Sequence, residues 1–225
     1  MVTLFLAGML HLASPALADT WFCDFEAAAD AELWTPDDEG PRTGKSEWEI
    51  DGGWFHQTAT EEMYHKAAAG SSDWTDYTVE FDMCILEGPR SCAGVLLRSD
   101  SAAANGYRLW MHDEGAFQFT TWQDNEWKVH IIRPPFTPEQ GKEYHMKVSI
   151  EGWTVSAWVD GEPIIEGHEI GNDMQFFESG MLGLINYGCH VRYDNIEVSG
   201  PNVRSLLVEP HSRLATTWGW MKLGA

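Results

Sequence analysis

Basic residues are scarce in this chain of 225 residues: 14 Lys and Arg stand against 35 Asp and Glu, for a formal net charge of −21. A surface so acidic repels phosphate backbones and anionic lipid head groups, so neither nucleic acid nor a membrane surface is expected as a partner. Cations, high-salt solubility or neutral ligands suit it better. Cysteine is limited to Cys23, Cys84, Cys92 and Cys189, with no C-x-x-C pair, and the nine His show no paired ligand spacing, which weakens a zinc reading. Helical periodicity is nearly absent and no repeat recurs at a fixed period, so bundles, solenoids and propellers drop out. Also missing are a G-x-S-x-G nucleophile elbow, an H-E-x-x-H zinc site and a glycine-rich phosphate loop.

Only residues 1–18, "MVTLFLAGMLHLASPALA", form a long apolar run, and they end in a small-x-small "ALA" before Asp19. That is a signal-peptide pattern, lacking only a Lys or Arg near its start, and it implies a secreted, periplasmic or cell-surface protein with no membrane insertion after cleavage. Residues 19–200 then read as one β-domain. Short period-2 segments near 21–26, 47–57, 77–86, 92–99, 106–112, 116–122, 127–133, 144–150, 180–187 and 190–199 alternate with Gly, Asn, Asp and Pro. The clearest is "YHMKVSI", which leads through Gly152 into "WTVSAWVDGEPIIEG" and turns again at Asp160-Gly161. A dozen such strands predict an all-β fold, an antiparallel β-sandwich or jelly roll. Helical turns are expected only near "AAADAELW". Residues 201–225 change in character, carrying Arg204, Arg213 and Lys222 against Glu209 alone. They read as a tail outside the core, either loosely docked or a sorting signal.

Two features ask for partners. An even cysteine count in an exported chain favours disulfides. A hairpin turning at Gly88-Pro89 would set Cys84 opposite Cys92, leaving Cys23 to join Cys189. In "VRYDNIEVSGP" strict alternation places Arg192, Asp194, Ile196 and Val198 on one face. Asp194 there means either a bulge that breaks the register or a carboxylate with a partner.

The order of "WEIDGGWF", "WTDYTVEFD", "GVLLRS", "NGYRLW", "YHMKVSIEG", "VDG", "GMLGL" and "YDNIEV" over about residues 21–200 resembles the concanavalin A-like lectin/glucanase superfamily, most closely the laminin G-like jelly rolls of bacterial secreted proteins. The resemblance implies two curved antiparallel sheets, frequent carbohydrate binding and often a structural calcium where the first and last strands meet. For this chain the implied calcium ligands are Asp194, Asp24 and Glu26 of "CDFE", and Gly53 of the "IDGGW" turn. Family 16 glucanases of the superfamily carry E-x-D-x-E or E-x-D-x-x-E on a strand, and neither motif occurs here. Glu80 and Asp82, at i and i+2, are the nearest substitute for an acid and nucleophile pair. The competing reading is a solvated face with a partner such as Arg98.

Twelve Trp exceed what a core of this size requires. On "YRLWMH" the apolar face is Tyr107, Leu109 and Met111, so Arg108, Trp110 and His112 point the other way. On "FQFTTW" Gln118, Thr120 and Trp122 oppose Phe117 and Phe119, and Trp158 shares a face with Thr154 and Ser156. Indole faces beside such polar groups suit the C–H face of a sugar ring and its hydroxyls. The expected ligand set is therefore Arg98, Arg108, Trp110, His112, Gln118, Trp122 and Trp158. The expected partner is a neutral glycan or polysaccharide, bound by a non-catalytic module. A glycoside hydrolase, or an adhesion module with cell-surface partners, is the alternative.

Overall fold

The computed structural model describes residues 19–204; the predicted leader and nearly all of the predicted tail lie outside the described residues. In chain order the strands are β1 (Asp19–Cys23), β2 (Thr35–Pro36), β3 (Trp48–Asp51), β4 (Trp54–Gln57), β5 (Tyr64–Ala69), β6 (Tyr77–Glu87), β7 (Cys92–Ser99) and β8 (Gly106–His112). They continue with β9 (Ala116–Gln123), β10 (Glu126–Ile132), β11 (Glu143–Glu151), β12 (Thr154–Val159), β13 (Glu162–Glu169), β14 (Met181–Tyr187) and β15 (His190–Gly200). Helix is confined to short 3-10 turns at Ala28–Leu33, within the "AAADAELW" segment, and Asn172–Met174. No helix among the described residues is long and apolar enough to cross a membrane.

Every strand pairing is antiparallel, and the strands form two sheets. One runs β13-β12-β11-β6-β15-β4-β3, with β1 also on β15; the other runs β10-β9-β8-β7-β14-β5-β2. Alternation does what period 2 requires. Tyr144, Met146, Val148 and Ile150 of β11 and Tyr107, Leu109 and Met111 of β8 enter the core between the sheets. This is an all-β antiparallel sandwich of jelly-roll type.

The second sheet departs from half-buried alternation. Its strands β5, β7, β8 and β9 are buried on both faces. Their outer side chains Tyr64, Ala68, Cys92, Leu96, Trp110 and Trp122 form a separate cluster with Ile185 of β14, joined by Ala103 of the β7–β8 loop. Lys66 helps hold this covering down: it donates to Asp37 at 2.8 Å and to Asn125, and Asn125 in turn donates to the Glu39 carbonyl. The "YHKAAA" stretch carries no alternation, because neither of its faces meets water.

The register of β15 breaks as one of the two alternatives required. Asn195 sits at φ 50°, the pairing with β6 shifts between Asp194 and Glu197, and the buried face passes from Val191 and Tyr193 to Ile196 and Val198. The bulge falls where the neighbour of β15 changes from β4, opposite 191–193, to β1, opposite 196–200.

The expected disulfides are not present: all four cysteines are buried free thiols. β6 and β7 lie in different sheets, so the Gly88-Pro89 segment crosses between sheets instead of folding a hairpin, and Cys84 faces Glu143 and Arg192. Cys23 pairs with Ile196, seven residues along the chain from Cys189. That is about 20 Å of extended chain, far beyond disulfide reach. Burial pushes the Cys23 and Cys189 thiols up to about 12.

Candidate functional site

The outer face of the second sheet carries a cavity of about 180 Å³. Its floor follows from strand register. On β8, Arg108, Trp110 and His112 project outward at alternate positions; on β9, Thr120 and Gln118 stand opposite Arg108 and Trp110. β7 contributes Gly94 opposite Trp110, where an added Cβ would come 2.5 Å from the Trp110 Cα. A residue without a side chain is needed for this close approach. Trp110 donates its indole N–H to Gln118 Oε1 at 3.1 Å, which fixes both side chains.

Arg108 is the feature that decides the site's chemistry. It is 1% exposed, and its Nε and Nη1 have no hydrogen-bond partner among the described residues. Instead its guanidinium carbon lies 3.8 Å from the centroid of Trp110 and 5.1 Å from that of Trp122. Burial pulls its pKa down to about 10, with the Tyr64 hydroxyl acting in the opposite direction. The group is therefore still a cation at neutral pH. Buried donors are almost always paired, so two idle ones lining a cavity mark it as built for an acceptor.

Around this floor stand residues that the sequence reading did not select. Tyr64 of β5 and Tyr187 of β14 pack at 4.9 Å. Arg42, from the loop after β2, lies over both rings and donates to the Tyr187 hydroxyl at 2.9 Å. On the rim Arg90 is paired with Asp113 at 2.9 Å and Arg133 with Glu114 at 2.8 Å. His130 of β10 stacks on Trp127 at 4.9 Å. Burial keeps His112 and His130 below the ordinary imidazole range, so both are neutral at pH 7. Neither Arg42 nor Arg108 has a carboxylate within ion-pair distance among the described residues, although the chain is strongly acidic.

Of the expected ligand set, Arg108, Trp110, His112 and Gln118 line this cavity. Trp122 lies beneath it, 0% exposed and donating to the Ala103 carbonyl. Arg98 and Trp158 are elsewhere. Arg98 is buried and donates to the Thr75, Phe177 and Gly152 carbonyls and to Asp76, so it staples loops together and does not partner Glu80 or Asp82. Trp158 sits on β12 in the other sheet, opposite Lys147.

The Glu80 and Asp82 pair also belongs to that other sheet. Lys147 donates to Glu80 at 2.7 Å and His145 Nδ1 lies 2.8 Å from Asp82. The Lys147 hydrogen bond holds Glu80 below its usual range; a general acid needs the opposite shift.

The expected calcium residues lie near the β15 bulge without closing into a cluster of ligand atoms. Asp194 feels the charges of Asp82, Glu26 and Asp24, and a Glu26 carboxylate oxygen lies 3.1 Å from where a Gly53 Cβ would be. Burial chiefly, and these like charges, raise Asp194 to about 6, although the Asn195 backbone N–H donates to it at 2.7 Å. A different trio, Cys92, His112 and Asp113, has ligand atoms within 4.8 Å of one another. There Asp113 is already held by Arg90, and burial raises the Cys92 thiol to about 11.

Comparison with known proteins agrees with this architecture. The carbohydrate-binding module CBM66 from Bacillus subtilis superposes with a TM-score of 0.61 at 20% identity, covering 75% of this chain and 96% of the module. A Bacillus subtilis protein of galectin-like fold also gives 0.61, at 14% identity, over 82% of this chain and 96% of that one. At these identities the likeness concerns the fold alone. In sequence, the levanase of Bacillus subtilis (strain 168) is 28% identical over 131 residues, which is 56% of this chain but only 18% of the levanase. The model of the 3-keto-alpha-glucoside-1,2-lyase-like domain matches residues 24–199, nearly the whole described structure, and the chain belongs to that family.

Proposed function

We propose that this domain is a secreted carbohydrate-recognition module that takes a sugar ring into the Arg108 cavity. The observation that carries the reading is the pair of idle Arg108 donors held against the Trp110 face. A sugar brings both a C–H face for the indole and hydroxyl oxygens for the guanidinium. The cavity is smaller than the roughly 300–1,000 Å³ of drug-sized sites, in keeping with one ring. Likeness to a carbohydrate-binding module and to part of a levanase supports a glycan partner, with levan as the first to try. Binding without hydrolysis is favoured because Glu80 and Asp82 are in the other sheet and committed to Lys147 and His145. A structural calcium is proposed at the bulge, with Asp24, Glu26, Asp194 and Gly53 as the residues that would draw together around it. A cation there would offset the burial, and the neighbouring like charges, that raise Asp194.

A second reading rests on the family's description and on one feature of the cavity. In a 3-keto glucoside the C2 proton is acidified by the ketone. A base can remove it, the electron pair passes through the enolate to a C1–C2 double bond, and the C1–O bond breaks as the aglycone oxygen takes a proton from a protonated imidazole and leaves as an alcohol. Neutral His112 and His130 are bases of the right kind, and Arg108 is a donor for the enolate oxygen. One experiment separates the readings: calorimetric titration with levan oligosaccharides and methyl α-D-glucopyranoside, alongside incubation with methyl 3-keto-α-D-glucopyranoside. Binding of a plain sugar without consumption of the keto sugar supports the module. Consumption of the keto sugar with enone formation supports the lyase. If no sugar binds and none is consumed, both fail.

A further inference from the structure

We infer that the Arg108 cavity is one half of a two-ring site, and that the second ring of the ligand lies on Trp127 of the edge strand β10. The inference rests on the sugar-recognition reading and adds the ligand's minimum length and the residue that reads it.

A second hollow, of about 190 Å³, is bounded by Arg42, Tyr64, Glu126 and Trp127. It shares Arg42, Tyr64 and Trp127 with the Arg108 cavity, so the two are adjoining compartments with a common wall. Their nearly equal volumes suit two rings of one size. The chemistry divides between them. The first holds the buried guanidinium and the neutral histidines; the second offers an exposed indole, a carboxylate and the outer side of Arg42.

Trp127 is presented to solvent by a specific distortion. It stands directly opposite Trp122, which is completely buried, yet Trp127 is 46% exposed. The pairing of β10 with β9 shifts twice, between Trp127 and His130 and again between His130 and Ile132. These irregularities let two residues at an odd spacing share the outer face, and the imidazole backs the indole at an interplanar angle of 29°. The ring is thus oriented before any ligand arrives, which lowers the ordering cost of binding. Arg42 gives one donor to Tyr187 and retains others at the junction of the two hollows.

The test titrates wild type and Trp127→Ala with two probe series: methyl α-D-glucopyranoside, maltose and maltotriose; and fructose, levanbiose and levantriose. In the series that binds, wild-type affinity is expected to rise about 10- to 100-fold from one ring to two, the range for engaging an aromatic anchor, and to change little from two to three. Trp127→Ala should erase that rise; because Trp127 also borders the first hollow, one-ring affinity should fall too, but by much less than two-ring affinity, with an unchanged melting temperature. Equal wild-type affinity for one and two rings overturns the inference. So does a Trp127→Ala loss of one-ring affinity as large as its two-ring loss. Absence of binding by every probe to folded wild type refutes the sugar-recognition reading itself, and this inference with it.

Discussion

Arg108→Met should make the ligand-free protein more stable and the site inactive. The guanidinium is buried, lies in no ion pair among the described residues, and has two idle donors. Its pKa is lowered from 12.5 to about 10 by burial. For a base, lowering the folded value means that the charged form is destabilised at every pH below it. At neutral pH the whole of that cost is present, about 3 kcal/mol at 1.36 kcal/mol per pKa unit. The contact with Trp110 at 3.8 Å returns up to about 2 kcal/mol when such a pair is desolvated. Methionine keeps an unbranched apolar stem against Trp110 and Trp122 and has no charge to desolvate. The expected net gain is therefore about 1–2 kcal/mol, or roughly 2–8 °C in melting temperature for a domain of this size. Differential scanning calorimetry measures the gain, and titration with the sugar bound by wild type should show affinity falling at least about tenfold. A variant that melts below wild type, or binds sugar as wild type does, would refute the argument that Arg108 is kept for a ligand at the expense of stability.

The two indoles near Arg108 should behave differently. Trp122→Ala removes a fully buried ring and should cost about 3–5 kcal/mol, seen as early melting whether or not sugar is present. Trp110→Ala should combine weaker sugar binding with a smaller loss of stability, because its ring also borders the cavity; equal melting of the two variants would argue against this. At the bulge, Asp194 has a folded pKa of about 6 against an ordinary value of 3.8. For an acid, this raised value destabilises the fold fully above about pH 6, and the penalty fades as pH falls toward 3.8. After discounting for solvent screening, Asp194→Asn should gain about 1 kcal/mol at pH 8 in chelator and nothing at pH 4. In millimolar calcium at pH 8 the sign should reverse, since the wild type alone keeps the full ligand set; melting curves at the two pH values, with and without calcium, decide it. A variant that is more stable in calcium as well removes the metal from this site.

Local alternation made the sandwich legible. The inward triplet Tyr107, Leu109 and Met111 and the outward triplet Arg108, Trp110 and His112 are written directly into β8, and Gln118 and Trp122 into β9. Alternation fails where a strand is buried on both faces. "YHKAAA" carries no such signal for that reason, so it is absent from the expected strands, and Tyr64 with it. The Gly88-Pro89 signal had two physical meanings, a hairpin or a crossing between sheets, and only the pairing of β6 with β11 and β15 selects the second. Assignment to a sheet is likewise a long-range property. It separates Trp158 and the Glu80–Asp82 pair from the cavity although their faces were read correctly.

Net charge was the least informative guide to the site, for a reason of scale. A total of −21 acts through a long-range surface field, which salt screens over a Debye length of about 8 Å at physiological ionic strength. A bound ligand instead meets the groups within a few ångströms. There Arg42 and Arg108 present guanidiniums with no carboxylate in ion-pair range among the described residues, and Trp110 has already given its N–H to Gln118. Such a cavity leaves its buried guanidinium donors short of an acceptor. It selects for a ligand dense in oxygen lone pairs rather than for a particular net charge, and both a hydroxyl-rich ring and the ketone of a 3-keto sugar meet that demand. They differ in what Arg108 does for them. A plain sugar draws on the guanidinium equally throughout its residence. An enolate draws on it most strongly as negative charge develops on oxygen, so a lyase would lose more turnover than affinity in Arg108→Met, whereas a binding module has only affinity to lose.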